Sequence, residues 1–89
     1  MTFLVIESFK NSDPRPVYAR FAQKGRPASD RIRYVSSWVT EDLSKCYRVM
    51  EGDGDALNEW IDNWKDLVDF EIIKGVSSYQ AAQIVAKMN

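Results

Sequence analysis

The chain has 89 residues, a length with room for one hydrophobic core and not two. Hydrophobic residues at 45% and charged residues at 28% give the balance of a folded globular chain, which excludes a disordered or collagen-like one. Its 12 basic and 13 acidic side chains leave a net charge of -1, so no overall field draws it to nucleic acid or to an anionic membrane.

Residues 2 to 9 (TFLVIESF) are β-branched and aromatic, without Gly or Pro, and read as a strand. Asp13 followed by Pro14 is an N-cap with proline at the first helical position. Val17 and Phe21 lie one turn apart, and Gly25 supplies a stop, so a first helix is expected over 14–24. After a polar connection from Arg26 to Asp30, RIRYVSSWV (31–39) returns to period two as a second strand. Thr40 to Ser44 is polar, and CYRVME (46–51) follows as a third strand. So short a gap permits only an antiparallel hairpin.

Asp53-Gly54-Asp55 forms a turn and a cap, after which Leu57, Trp60, Ile61 and Trp64 recur at the spacing of an amphipathic helix. VDFEII (68–73) is a fourth strand, ended by Gly75. Ser77 and Gln80 form a capping box that opens a last helix whose Ala81, Ile84, Val85 and Met88 share a face. The order βαββαβ plus a C-terminal helix is the split βαβ arrangement. It predicts one α+β, ferredoxin-like domain over 1–89, with a four-stranded antiparallel sheet carrying its two main helices on one face.

Alternate side chains of a strand point to opposite faces. Leu4, Ile6, Val35, Val39, Tyr47, Val49, Phe70 and Ile72 are mostly apolar and are expected beneath the helices. The other class is expected on the open face: Phe3, Val5 and Glu7; Tyr34, Ser36 and Trp38; Cys46, Arg48 and Met50; Asp69, Glu71 and Ile73. An open patch holding Phe3, Val5, Tyr34, Trp38 and Met50 exceeds what soluble monomers tolerate. A second copy of the sheet is expected to cover it, with cover by the C-terminal helix as the rival. A chain this short also gains stability by oligomerising.

Within that class, Glu7, Tyr34, Ser36, Trp38, Arg48 and Glu71 are the candidate ligand-binding residues of a cleft between two paired sheets. Carboxylates, a hydroxyl, aromatics and a guanidinium together suit a small polar or planar molecule. The bland reading, which the residues favour, is a structural Glu7–Arg48 ion pair with Tyr34 and Trp38 as interface anchors. In a catalytic version Glu7 is the base and Arg48 steadies a developing anion. Trp60 and Trp64 read as core packing, and Cys46 as a buried, inert thiol.

Several chemistries are unsupported. The chain has no histidine, which removes His-metal sites and a Ser-His-Asp triad, and a single cysteine forms no intrachain disulfide. The acidic cluster Glu51, Asp53, Asp55 lacks the spacing of a calcium loop. No phosphate-cradling glycine loop occurs, and the third strand lacks the aromatic signature of RNA-binding relatives of this topology. No cofactor, nucleic-acid partner or membrane partner is therefore expected. The opening residues read as neither signal peptide nor membrane span, which makes the cytoplasm the expected compartment. Residues 1–40 carry seven basic groups against three acids, and 41–89 carry five against ten. That asymmetry either orients a partner or reflects solvated faces.

The runs Leu4-Val5-Ile6-Glu7, Asp13-Pro14, Ser37-Trp38-Val39, Cys46-Tyr47-Arg48-Val49-Met50-Glu51 and Trp60 to Trp64 with Asp66 to Glu71 span nearly the whole chain. Together they resemble a family of short bacterial proteins known as a domain of unknown function. That family is in turn similar to the dimeric α+β barrel superfamily of small oxygenases, isomerases and stress-response domains. The resemblance implies the ferredoxin-like fold and a homodimer, and brings no catalytic residues with it.

Overall fold

The computed structural model describes residues 1–25 and 30–88. β1 is Thr2–Phe9, the expected strand. A single 3-10 turn at Lys10–Ser12 follows, with Asn11 and Ser12 at φ 60° and 53°. α1 (Arg15–Lys24) begins one residue later than expected, because Pro14 itself occupies the half-in position. Asp13 is thus not the N-cap residue, although from just outside the helix its carboxylate accepts the Arg15 N–H at 3.0 Å. Gly25 ends the helix at φ 67°, its N–H bonded to the Phe21 carbonyl. The expected polar connection lies outside the described residues except for Asp30.

β2 (Ile32–Val39) and β3 (Lys45–Gly52) form the expected hairpin. α2 (Gly54–Asp62) is capped by Asp53, which accepts from the Asp55 N–H at 3.0 Å. Glu51 pairs with Arg33 and Asp53 with Arg31, so two members of the acidic cluster neutralise arginines. β4 (Val68–Gly75) is followed by α3 (Ser78–Ala86), which opens with the capping box read from Ser77 and Gln80. The sheet runs β2-β3-β1-β4 with every neighbouring pair antiparallel, a ferredoxin-like α+β arrangement. Among the described residues no helix is long and apolar enough to cross a membrane.

The two faces of the sheet differ from the expectation, and cross-strand register shows why. Directly opposed residues share a face. β1 opposes Phe3 to Met50, Val5 to Arg48 and Ile72, and Glu7 to Cys46 and Phe70. Phe3, Val5, Glu7, Cys46 and Met50 are all buried beneath the helices, with Val68. Phe70 and Ile72 lie there as expected, packed on the same core. Leu4, Tyr47 and Ile73 are exposed on the opposite face, which Ile6 and Val49 share by register. The expectation let charge mark the open face, and in this chain the Glu7–Arg48 pair sits inside the core.

A β-bulge separates the two ends of β2. Tyr34 opposes Met50, Ser36 opposes Val49, and Val35 is left over. Tyr34 therefore looks toward the helices, whereas Trp38, of the same nominal parity, opposes Tyr47 on the open face and is 73% exposed. Val39 opposes Cys46, on the helix side.

α2 delivers its expected stripe. Leu57 and Trp60 are buried, Ile61 is half-buried, and Trp64, just beyond the helix end, is buried as well. α3 behaves otherwise. It holds no buried residue, and Ile84, Val85 and Met88 are all more than half exposed, so it does not cover the open face with its apolar side.

Candidate functional site

Glu7 projects from the middle of β1 into the layer between sheet and helices, where it is the buried charged residue among those described. Arg48, diagonal to it on β3, donates from Nε to Glu7 Oε2 at 2.7 Å, with both side chains at least nine-tenths buried. Arg48 Nη2 also reaches Cys46 Sγ at 3.4 Å, and the Ser37 hydroxyl lies 3.4 Å from the same sulfur. Cys46 is thus buried, as expected, and is held in a polar chain that ends on Glu7.

The guanidinium is wedged between two rings. Its centre lies 5.3 Å from the Tyr34 ring and 5.4 Å from the Trp60 ring, and those rings meet edge to face at 6.0 Å. Cation–π attraction of this kind strengthens as water is excluded. Burial is the largest influence on Arg48 and works against its charge. The Glu7 carboxylate, Cys46 and Tyr34 outweigh it and hold the guanidinium pKa above the ordinary arginine value. Arg48 is therefore a permanent buried cation whose charge Glu7 balances.

Glu7, Val17, Phe21, Tyr34, Arg48, Trp60 and Trp64 line a partly open void of about 10 Å3 between sheet, α1 and α2. That is the size of one water-sized group. The indole Nε1 groups of Trp60 and Trp64 are buried without a hydrogen-bond acceptor. Buried donors are almost always satisfied, and an orphan is explained by an absent water or ligand, or by function. Both tryptophans therefore line the void together with the ion pair, two further rings and Val17.

The sequence-derived candidates thus divide. Glu7, Tyr34 and Arg48 come together here, whereas Ser36, Trp38 and Glu71 lie on the opposite face of the sheet and take no part. Trp60 and Trp64 belong to the site although their helical spacing marked them as core. Their Nε1 donors gave a signal only in one respect, that a buried tryptophan normally needs an acceptor and this chain offers few apolar-side polar groups to supply one. Among the described residues no group of three or more Cys, Asp and Glu is placed to hold a metal ion.

A ferredoxin-like α+β fold whose helix-covered face encloses a balanced ion pair, two unsatisfied indoles and a small void is the class that fold and site define. The chain belongs to the family described as Domain of unknown function (DUF3303), whose profile matches residues 1–89. No curated protein and no solved structure matches it.

Proposed function

We propose that the protein is a homodimeric small-molecule-binding module, related to the dimeric α+β barrels, that takes its ligand between sheet and helices at Arg48. One observation carries the reading: a nine-tenths-buried ion pair and two tryptophans whose buried indole N–H groups have no acceptor line one and the same void. Removing two charges from water costs several kcal/mol per ion by general estimates of about that size, and apolar residues of similar volume would fill the space more cheaply. Because Glu7 already balances Arg48, the complementary ligand is neutral or singly anionic. Its oxygen acceptor, a carbonyl or carboxylate, meets the donors, and a flat apolar body stacks among Phe21, Tyr34 and the indoles.

Anything larger than water enters by displacing α1, which contributes Val17 and Phe21 to the wall and has only Val17 fully buried. The open face, lined by Trp38, Tyr47 and Leu4, is where the second copy packs, and Ser36, Trp38 and Glu71 serve there and not in the ligand site.

A catalytic use of the same site, with Glu7 as base and no cofactor, is the second reading, favoured by the position of Glu7 in the wall of the void. The pairing of Glu7 with Arg48 favours binding, since the carboxylate is already engaged by a cation.

Native mass spectrometry of the protein purified gently from its own cells tests the proposal. The expected result is a dimer with a reproducible added mass, lost in a Glu7→Leu/Arg48→Met variant that still folds. A wild-type protein with no added mass, or an added mass the double variant keeps, overturns it. Turnover of the identified molecule that Glu7→Gln abolishes while binding persists would select the catalytic reading.

A further inference from the structure

α3 is a nine-residue helix with a well-made N-terminus and no buried residue. Isolated helices shorter than about 12 to 15 residues are marginal in water, so capping alone does not hold it and packing must. Yet its apolar side is turned from its own sheet. Tyr79, Gln80 and Gln83 border a groove of about 1140 Å3 whose other wall is Leu4, Val35 and Val49. Val85, about 160° round the helix from Gln83, points away from that groove, and Ile84 and Met88 are likewise largely exposed, the three at 63%, 54% and 68%.

The whole molecule carries the same surplus. Its accessible surface is 6246 Å2 and its mass 10.3 kDa. A compact monomer of that mass exposes roughly 5,400 Å2. The excess, about 900 Å2, matches the roughly 800 Å2 that one partner contributes to a standard stable interface. The radius of gyration, 14.8 Å, likewise exceeds the roughly 12 Å of a compact chain of this length.

We infer that α3 is an arm that docks on a second copy of this chain, its Ile84, Val85 and Met88 seated in the other protomer's groove against Leu4, Val35 and Val49. The inference rests on the homodimer proposed above and adds which element makes it. The charges of the open face suit a copy over an unrelated partner. Lys45 and Asp69 flank Ser8 at one end of the sheet, and Arg33 pairs with Glu51 at the other. Each end therefore carries both signs, and a two-fold related face is complementary to it. Arm exchange is reciprocal, so each groove receives a helix and no apolar helix face is left over.

Sedimentation of the full chain across a concentration series tests this, comparing wild type, Ile84→Glu/Val85→Glu, and, as a control of equal charge change outside the groove, Lys24→Glu on α1. The arm predicts a wild-type dimer, a dissociation constant raised at least tenfold in the double variant, and little change in the control. A photo-crosslinker placed at residue 85 should join two chains, with the attachment mapping to β1, β2 or β3. A monomer at every concentration overturns the homodimer and the arm together. A dimer that the double variant leaves intact, or a crosslinker that attaches only within one chain, overturns the arm alone.

Discussion

Arg48 is held by one carboxylate, one sulfur and two rings, and each tells on what its loss would do. Arg48→Ala leaves Glu7 buried without its cation, a state that costs about 3 to 5 kcal/mol in comparable cases. Glu7→Leu/Arg48→Met removes both charges and fills the space, and should fall within about 1 kcal/mol of wild type, or above it. Urea unfolding of the three proteins measures the difference. A single variant as stable as the double one would show that the pair is solvated and the site open. The pairing of Glu7 with Arg48 was legible from sequence, because neighbouring strands bring them together in this topology. Its face was not legible. Alternation gives two classes of side chain per strand but does not say which class faces inward, and here the class carrying the charges also holds the large apolar residues Phe3, Val5 and Met50. In the proposed dimer Leu4, Tyr47 and Val49 would be covered as well, which accounts for their core-like character.

At the scale of elements, sequence placed the strands and helices to within a residue or two, since caps and stops such as Asp53, Gly25 and the Ser77–Gln80 box are local. The bulge in β2 left no such mark: nothing in Tyr34-Val35-Ser36 distinguishes a residue paired from one left over, and that one residue sends Trp38 and Tyr34 to opposite faces. The junction of β3 and α2 depends on Gly52, at φ 143°, whose missing Cβ would collide with the Arg31 carbonyl oxygen at the entry to β2. Gly52→Ala should cost roughly 2 to 5 kcal/mol, read as a lower denaturation midpoint, because backbone strain adds to a clash with main chain that has no flexible end to yield. A neutral result would mean that β2 can slide away from this corner.

α1 is tied down by an exposed bridge as well as by its apolar face. Arg20 grips Asp66 with two hydrogen bonds, of 2.8 and 2.7 Å, and also donates to the Asn63 carbonyl. The guanidinium lowers the Asp66 pKa from 3.8 to about 2, chiefly through those hydrogen bonds. A carboxylate depressed in the folded state stabilises fully above its unfolded value. The contribution is lost as the pH falls from 3.8 through about 2, where the unfolded chain takes up a proton before the folded one does. Asp66→Asn should therefore flatten the stability–pH profile in that window and lower stability at neutral pH. Asp13 and Asp42, each held below its ordinary value by hydrogen bonds, titrate with the same sign, so the difference between wild type and Asp66→Asn is the informative quantity. Equal slopes for the two proteins would show that the bridge is not made in solution. If α1 is also the element a ligand displaces, Asp66→Asn should speed exchange of α1 amides before those of the sheet.

For the molecule as a whole, the decisive property is that its apolar surface is divided between two places, one closed within the chain and one open. The inner layer holds the tryptophans and the ion pair, and the outer face holds Leu4, Trp38 and Tyr47 with α3 standing beside it. If the outer face is completed by a second copy, folding and association are one equilibrium, and stability must rise with protein concentration. A tenfold rise in concentration adds about 1.4 kcal/mol per dimer. Spread over the unfolding entropy of two chains of this length, at roughly 2.1 cal/mol/K per residue, that raises the thermal midpoint by about 4 °C. A chain that folds alone shows no shift at all. Differential scanning calorimetry at several concentrations separates these outcomes, and the Ile84→Glu/Val85→Glu protein supplies the internal reference. Its midpoint should lose the concentration dependence and fall toward that of the isolated protomer, because the inner layer with Arg48 and Glu7 persists when the outer face is left bare.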